Sequence, residues 1–320
     1  MNEDDHSIHL QGMVPAELGG ERCDAIASHL FPDYSRSRLQ GWLKDGRLTV
    51  DGEPCKPKTK LVPGQLLVLE AELEPQGEWL PEDIPLDIVY EDHEILVVNK
   101  PAGMVVHPGA GNWSGTLLNG LLHHYPDIDK VPRAGIVHRL DKDTTGLMVV
   151  AKTLQAQTDL VMQLQDRTVS REYAAVVTGT FTGGGTVDAP IGRHPQQRTK
   201  MAVLRPTANG AKEAITHYWI EQRFPQHTLV RVKLETGRTH QIRVHMTHLG
   251  HSLVGDGTYS RFKIPKGASP ELVEALRSFP RQALHARKLG LEHPETGDYM
   301  EWEVPLPEDI QALINALEEG

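Results

Sequence analysis

The sequence predicts an α+β protein whose larger part contains a mixed, largely antiparallel sheet. Strand-like segments follow one another more often than they alternate with helical segments, which favours this class over a doubly wound parallel sheet. The chain has 320 residues, more than one typical domain, and an acidic, proline-rich stretch interrupts it, so two domains are expected. The strand-like segments of the larger part include 171–178, 200–204, 214–221 and 228–235.

A small domain is predicted over residues 19–73, following an N-terminal segment of residues 1–18. Its second helix has a clear start and stop, because Ser35 can cap it and Gly46 can end it. A unit of this length is at the lower end of the size range of protein domains. The predicted elements are a helix at 21–30, a helix at 32–46, and β-structure at 47–55 and 60–72.

Residues 74–85 are rich in proline and acidic side chains and are predicted to form a linker. The larger domain is expected to occupy residues 86–320. Besides its strands, it contains segments with the apolar spacing of helices. They include two strands and a turn at 86–101, helices at 115–125 and 153–166, a loop entering a helix at 236–250, and an amphipathic helix at 307–319.

The charge of the chain is unevenly distributed. The net charge is −10, which by itself argues weakly against a nucleic-acid partner. However, residues 34–60 contain seven basic and three acidic side chains, and residues 190–245 contain ten basic and three acidic ones. A local patch is sufficient to bind phosphate. These two basic blocks favour a polyanionic partner over two merely solvated surfaces.

Several classes of site and location are disfavoured. The glycine-rich stretch 109–115 has the wrong spacing for a dinucleotide loop and is predicted to be a surface turn. The histidines at 240, 245, 248 and 251 lack the carboxylate and spacing of a zinc site, so no metal is expected. Neither a signal peptide nor a membrane-spanning stretch is indicated, and the two cysteines form no disulfide framework, so a cytoplasmic protein is expected.

A charged segment, "GIVHRLDKDTTG" at 135–146, lies between two apolar runs of β type. Asp141 should therefore be largely buried, and a buried carboxylate needs a cation or a hydrogen-bond donor. Arg139, two residues earlier, would share a face with it in an extended segment. The residues alone leave a structural ion pair and a poised nucleophile equally open. A turn or helix-cap role is favoured for Asp143.

Four stretches of the chain form an ordered set of motifs, namely "VVNKPAGMVVHPGAG" (97–111), "HRLDKDTTGLMVVAK" (138–152), "REYAAVVTG" (171–179) and "LETGRTHQIRVHM" (234–246). They resemble the motifs of the pseudouridine synthases of the large ribosomal-RNA class and occur in that family's order. Residues 19–70 also resemble the small S-four-type (alpha-L) RNA-binding domain, although Cys23 stands where that domain usually has an aliphatic residue. The resemblance implies an RNA-modifying isomerase with an appended RNA-binding domain.

The resemblance also implies roles for individual residues. Asp141 matches the catalytic aspartate, Arg243 the arginine that pairs with it, and Tyr173 the active-site tyrosine. Arg139 matches an arginine that fills the gap left by a flipped-out nucleotide. Further residues are expected to contact RNA, and these are Arg238, Lys100 and His138 in the larger domain and Arg36, Arg38 and Lys44 in the small one.

The implied reaction needs neither a cofactor nor a metal. The implied partner is 23S ribosomal RNA or its precursor, in the stem-loop that faces the decoding centre, and a monomer is expected. Two other functions fit the residues less well. One is a non-catalytic RNA-binding protein, and the other is a glycosidic hydrolase, which usually needs a second carboxylate.

Overall fold

The computed structural model describes residues 7–32, 34, 36–72, 79–109, 112–197 and 199–320. The chain forms two compact units, Met1–Glu78 and Trp79–Gly320. Several parts of the sequence prediction lie outside the described residues, and they include residues 1–6 of the N-terminal segment, the Ser35 cap, the side chain of Arg38, residue 73 of the small domain, residues 74–78 of the expected linker and residues 110–111 of the predicted surface turn. No helix in the described ranges has the length and apolar character that crossing a membrane requires.

The first unit packs two helices against a small antiparallel sheet. The elements of this unit are β1 Ser7–Met13, α1 Cys23–Leu30, α2 Arg36–Lys44, β2 Leu48–Val50, β3 Glu53–Pro54 and β4 Leu66–Glu72. The strand order is β1-β4-β2-β3, so the first and last strands of the unit are neighbours. The predicted helices and strands are present, but β1 lies in the segment 1–18, for which no element was predicted.

A buried carboxylate joins the two helices of this unit. Asp24 is fully buried and accepts hydrogen bonds from Arg22 at 2.9 and 2.8 Å, from Gln40 at 2.6 Å and from Arg36 at 3.4 Å. The Arg36 guanidinium pairs with Asp24 and its side chain is 51% exposed, so the RNA contact expected for Arg36 stays a prediction. Lys44, at the end of α2, is exposed, so its ammonium group is accessible to a phosphate of RNA.

The carboxylate of Asp24 should make the stability of the first unit depend on pH. Burial alone would raise the pKa of Asp24, but hydrogen bonds from Arg22, Arg36 and Gln40 lower it to about 2. The stabilisation is therefore complete above the ordinary pKa of 3.8 and is lost as the pH falls towards 2.

We expect Asp24→Asn to destabilise this unit by about 2 kcal/mol, since hydrogen bonds to a charged group are lost. The loss should be smaller at pH 3 than at pH 7. Chemical denaturation at both pH values measures it, and Asp45→Asn, at an exposed position, is the control. Equal losses at both pH values would contradict this role of the Asp24 charge.

The second unit is built on a nine-stranded sheet. The strands of this unit are β5 Ile88–Glu91, β6 Ile95–Lys100, β7 Thr145–Ala151, β8 Ser170–Thr178, β9 Gly185–Asp188, β10 Ile191–Arg193, β11 Met201–Val203, β12 Ile215–Arg223, β13 His227–Leu234, β14 Leu284–Glu292 and β15 Tyr299–Glu303. The order in the sheet is β5-β6-β7-β14-β8-β13-β12-β9, with β15 beside β14, and among the described strands only the β7–β14 pair is parallel. The predicted α+β class with a largely antiparallel sheet is thus confirmed.

Helices cover this sheet, and they are α3 Leu117–His124, α4 Leu154–Gln165, α5 Gln241–His248, α6 Pro270–Ser278 and α7 Glu308–Glu319. Apolar side chains of α3 pack with those of β6, β7, β8 and β13 in one core, and those of α4 pack with β6, β7 and β14 in another. Strands β10 and β11 form a separate two-stranded sheet. The sequence did not predict β9, β10, α6, β14 or β15.

The backbone before the charged segment differs from the prediction. An apolar β-type run was expected there, but Pro132–Gly135 forms a short turn and only a single bridge, Ile136 to Val150, pairs with the sheet. Arg133 and Ala134 are left-handed, with φ of 56° and 50°. The charged segment therefore joins a turn to β7 and does not connect two strands.

Strand β14 lies at the centre of the sheet and approaches β7 closely. Gly146 pairs with Ala286, and a Cβ at position 146 would lie 2.1 Å from the Ala286 carbonyl oxygen. Gly146 also has a φ of 114°, which disfavours any side chain. Glycine is therefore required where β7 and β14 meet, immediately after the charged segment.

Candidate active site

A cleft of about 580 Å³ opens on the second unit beside the charged segment. Three stretches of the chain form most of its wall: the segment before β7, the start of β8, and the loop between β13 and α5. Six of the residues predicted from the sequence line this one cleft, namely His138, Arg139, Asp141, Tyr173, Arg238 and Arg243. Separated parts of the sequence thus converge on one cleft.

Buried side chains hold the loop that carries Asp141 in place. Asp141 begins a turn closed by the Thr144 N–H, which donates to the Asp141 carbonyl at 3.0 Å. Gln282 donates to the Thr144 hydroxyl at 3.1 Å, and Arg281 donates to the Asp143 carbonyl at 3.1 Å. These contacts, all to groups within four residues of each other, fix the position of the Asp141 carboxylate.

The RNA contact expected for Lys100 needs correcting. Its ammonium is 1% exposed and donates to the carbonyls of Pro101, Met104 and Lys142 at 2.8–2.9 Å. Burial lowers the pKa of Lys100 to about 8, against the opposing effect of the nearby carboxylates of the charged segment. Lys100 therefore anchors the Asp141 loop, and all its donors are used within the protein.

Arg243 is the cation that faces Asp141. Its Nη1 donates to Asp141 Oδ2 at 2.9 Å, while its Nε and Nη2 donate to the two oxygens of Asp256 at 2.7 and 2.9 Å. The side chains of Asp256, Arg243 and Asp141 are 0%, 7% and 19% exposed, so the carboxylate nearest to solvent is Asp141. A guanidinium between two carboxylates can fix one of them in place for chemistry.

The protonation states in this group follow from its contacts. Burial alone would lower the pKa of Arg243, but Asp256 and Asp141 raise it above its ordinary value. Burial alone would raise the pKa of Asp256, but Arg243 and the backbone N–H groups of Thr258 and Tyr259 lower it. Asp256 therefore stays ionised at neutral pH, and Arg243 stays charged.

His240 completes the surroundings of Asp141. It precedes α5 in a left-handed conformation, with φ of 57°, and its Nδ1 lies 2.8 Å from the Tyr259 hydroxyl. Its Nε2 lies 3.9 Å from Asp141 Oδ1. Burial lowers the pKa of His240, so the ring is mainly neutral at neutral pH. It therefore adds a polar contact near Asp141 without adding a second full charge.

Tyr173 projects from β8 into the cleft wall. It is 6% exposed and packs within the main core, which also contains Leu140, Leu234, Ile242 and Leu284. Burial raises the pKa of Tyr173, so the hydroxyl stays protonated at neutral pH. A rigid aromatic ring in this position can stack on a base that enters the cleft.

His138, Arg139 and Arg238 have different surroundings in the cleft. His138 accepts a hydrogen bond from the Val149 N–H at 3.1 Å, and burial and the nearby Arg171 lower its pKa to about 3. The ring of His138 is therefore neutral and supports β7, and the RNA contact expected for His138 from the sequence stays a prediction. Arg238 is half-buried and donates through Nε to the Glu213 carbonyl at 2.8 Å.

Arg139 is exposed at the rim of the cleft. An ion pair between Arg139 and Asp141 was one interpretation of their spacing, but in the described ranges no side chain pairs with Arg139. The reason is the turn at Asp141, which breaks the extended geometry in which alternate residues share a face. Arg139 is left available to a ligand.

The histidines of the 240–251 stretch do not converge. His245 is buried against the Thr216 hydroxyl and the Ala189 carbonyl, and His251 lies on the Thr178 carbonyl. Among the residues whose positions are given, no three His, Cys, Asp or Glu side chains are arranged to hold a metal ion.

Two residues of the site were not predicted from the sequence. Arg171 lines the cleft, and Asp256 holds the cleft residue Arg243. Asp256 follows the buried pair Leu253 and Val254, the same signal of an acid after an apolar run that drew attention to Asp141. Arg171 opens the tyrosine motif, and nothing in its spacing distinguished it from an exposed arginine.

Residues 94–248 match the family described as RNA pseudouridylate synthase, and residues 21–67 match the S4 domain. Ribosomal large subunit pseudouridine synthase D of Pseudomonas aeruginosa is 64% identical over 97% of this chain and 96% of its own length. The protein of that name from Escherichia coli K12 is 55% identical over 97% and 94%. The solved structure of human RNA pseudouridylate synthase domain containing 4 has a TM-score of 0.58 at 26% identity, covering 72% of this chain and 93% of that one.

Proposed function

Because the chain belongs to the pseudouridine synthase family, whose members isomerise uridine to pseudouridine in RNA, we propose that it modifies large-subunit (23S) ribosomal RNA with Asp141 as its nucleophile. The observation that carries the proposal is the Asp141 carboxylate at the cleft, held 2.9 Å from Arg243. The relatives from P. aeruginosa and E. coli, which support the choice of RNA, are named for the large ribosomal subunit.

The reaction is an isomerisation and conserves every atom. The bond between ribose C1′ and uracil N1 breaks, the base turns, and C1′ bonds to C5, whose proton is released while N1 gains one. A carboxylate can attack C1′ or the base ring and is expelled later in both routes. Asp141 suits either route, because Arg243 stabilises its charge in a site that excludes much of the water.

Tyr173 and Arg139 are proposed to hold the uridine. A uridine within an RNA stem must be flipped out of its stack, at a cost of a few kcal/mol. Arg139 is exposed at the rim and can fill the gap in the RNA, while Tyr173 stacks on the flipped base. The raised pKa of Tyr173 favours stacking over removal of the C5 proton.

The proposed target is the stem-loop that faces the decoding centre, and its modification would aid ribosome assembly. The enzyme is proposed to act as a monomer in the cytoplasm, where ribosomal RNA is made in bacteria. The S4 match over residues 21–67 supports a role of the first unit in RNA capture.

Mapping pseudouridines in 23S ribosomal RNA with and without this protein tests the proposal. We expect pseudouridines of that stem-loop to disappear when the gene is deleted and to return with the wild-type gene. Purified protein should convert uridine within a matching RNA fragment. Release of free uracil would indicate a hydrolase, and binding without any product would indicate a non-catalytic RNA-binding protein.

Deleting residues 1–78 should weaken RNA capture and spare the chemistry. The cleft lies wholly in the second unit, while the first unit carries the S4 match. The affinity loss should be largest at low salt, because each lost phosphate contact reduces the salt slope by about 0.9. Titrations of a ribosomal RNA fragment over a salt series measure this, with full-length Lys44→Glu as a charge-only comparison.

An unchanged affinity and salt slope after the deletion would mean that the basic surface of the first unit is only solvated. Normal binding by a folded, truncated protein that makes no pseudouridine would place part of the active site in the first unit.

A further inference from the structure

Arg171 is a buried cation at the cleft to which the proposed mechanism assigns no role. It lies on β8 two residues before Tyr173, so the two side chains share a face of the strand. Only 7% of Arg171 is exposed, and both residues line the cleft. The guanidinium therefore lies beside the tyrosine on which the base is proposed to stack.

The guanidinium of Arg171 has few hydrogen-bond acceptors around it. Its Nη2 donates to the Glu235 carbonyl at 3.2 Å, and its buried Nε has no hydrogen-bond acceptor among the described residues. Within the same residues, no carboxylate forms an ion pair with it. Burial lowers the pKa of Arg171, but an arginine remains charged at neutral pH. A buried cation without an anion is costly, and proteins rarely keep one without compensation.

The other buried arginines of the second unit show the contrast. Arg243 holds both oxygens of Asp256, and Arg281 holds both oxygens of Asp309 at 2.7 and 2.8 Å. In the described ranges, Arg171 alone among the buried arginines has no carboxylate. The anion that would balance its charge is therefore expected to arrive with the substrate.

Arg171 and Gly237 both line the cleft, and their close approach requires glycine at 237, because a Cβ there would be only 2.8 Å from Nη1. His138 stays neutral close by, with its pKa lowered to about 3 by burial and by Arg171 itself. The exposed Arg139 lies at the rim, where it can fill the gap in the RNA, whereas the deeper Arg171 suits the base.

We propose that Arg171 is a catalytic residue that stabilises the uracil anion formed when the glycosidic bond breaks. This deepens the proposed function and depends on it. When the C1′–N1 bond breaks, its electron pair stays with the uracil, whose negative charge spreads over N1, O2 and O4. Arg171 donates hydrogen bonds to this anion and transfers no proton. The interaction weakens again when C1′ bonds to C5 and the C5 proton leaves.

Single-turnover rates with two RNAs test this role. One RNA fragment carries uridine at the target position and the other carries 5-fluorouridine, whose fluorine stabilises the uracil anion without help from the protein. The readout is the consumption of the target nucleoside at saturating enzyme. The variants are Arg171→Met, Arg171→Lys and a control, Arg223→Met, which removes an arginine that also donates to backbone carbonyls but lies outside the cleft.

We expect Arg171→Met to slow uridine conversion by about 100-fold, on the scale of losing one donor to a developing anion. Arg171→Lys should convert uridine roughly tenfold faster than Arg171→Met, because lysine keeps the positive charge but lacks the forked geometry of arginine. With 5-fluorouridine the loss should shrink severalfold for both variants. Arg223→Met should convert both RNAs at the wild-type rate. If Arg171→Met does not fold, Arg171→Lys decides the question on its own. Its rate loss with the uridine RNA is then compared with its rate loss with the 5-fluorouridine RNA, and the first loss should be severalfold larger.

Equal losses on both RNAs, or weaker binding with an unchanged rate at saturation, would overturn this role. A wild-type protein that converts neither RNA would overturn the proposed function, and the role of Arg171 with it. Normal wild-type turnover with an unaffected Arg171→Met protein would overturn the role of Arg171 alone.

Discussion

Replacing Asp141 with asparagine should abolish pseudouridine formation while RNA binding stays within about twofold of wild type. The amide has nearly the same shape but is a far weaker nucleophile, and removing a nucleophile can cost more than about 10⁴-fold in rate. The amide can also still accept a hydrogen bond from Arg243. Single-turnover product formation and RNA affinity, measured on the same preparation, check this expectation.

Asp143→Asn is the matched control for this substitution. Asp143 lies two residues away in the same loop, and its backbone carbonyl makes the described contact with Arg281. We expect this variant to keep most of its activity. Ordinary turnover by a folded Asp141→Asn protein, or an inactive Asp143→Asn protein that binds RNA normally, would reassign the nucleophile.

Arg243→Met should reduce both activity and stability. It leaves the fully buried Asp256 and the partly buried Asp141 without their cation. Removing one partner of a buried ion pair typically costs about 3–5 kcal/mol. The rate should fall by at least about 100-fold, since Asp141 would lose its fixed position. Chemical denaturation and single-turnover rates measure the two effects.

Two further variants separate the two roles of Arg243. Arg287→Met removes an arginine from a more exposed pair with Glu221 and should cost about 1 kcal/mol or less. Adding Asp256→Asn to Arg243→Met removes the stranded buried charge, so the double variant should regain stability but not activity. A double variant that regains activity would show that Arg243 only supports the fold.

The sequence predicted those parts of the fold whose signal is local. The alternating strand β13 and the amphipathic helix α7 have patterns that need no tertiary information. By contrast, β14 was not predicted, although it lies at the centre of the sheet. Its position depends on pairing with β7 and β8, and such long-range pairing leaves little trace in the local pattern.

The candidate site shows the same limit. Resemblance to a known family identified Asp141, Tyr173 and Arg243, and the structure brings these three to one cleft. Spacing alone suggested Arg139 as the partner of Asp141, but the turn at Asp141 directs the carboxylate to an arginine 102 residues away. Lys100 is a charged residue in a motif, yet its burial could not be predicted from its type, because lysine is usually exposed.

The central position of β14 should also delay the onset of activity while the chain is being synthesised. The ribosome makes β14 some 140 residues after β7, and Arg281 and Gln282, which hold the Asp141 loop, precede it by only a few residues. A nascent chain that has reached α5 already contains Asp141, Tyr173 and Arg243, but the gap between β7 and β8 is still unfilled. Pairings this distant in sequence form late in folding. The growing chain should therefore be unable to modify RNA until β14 has left the ribosome and filled that gap.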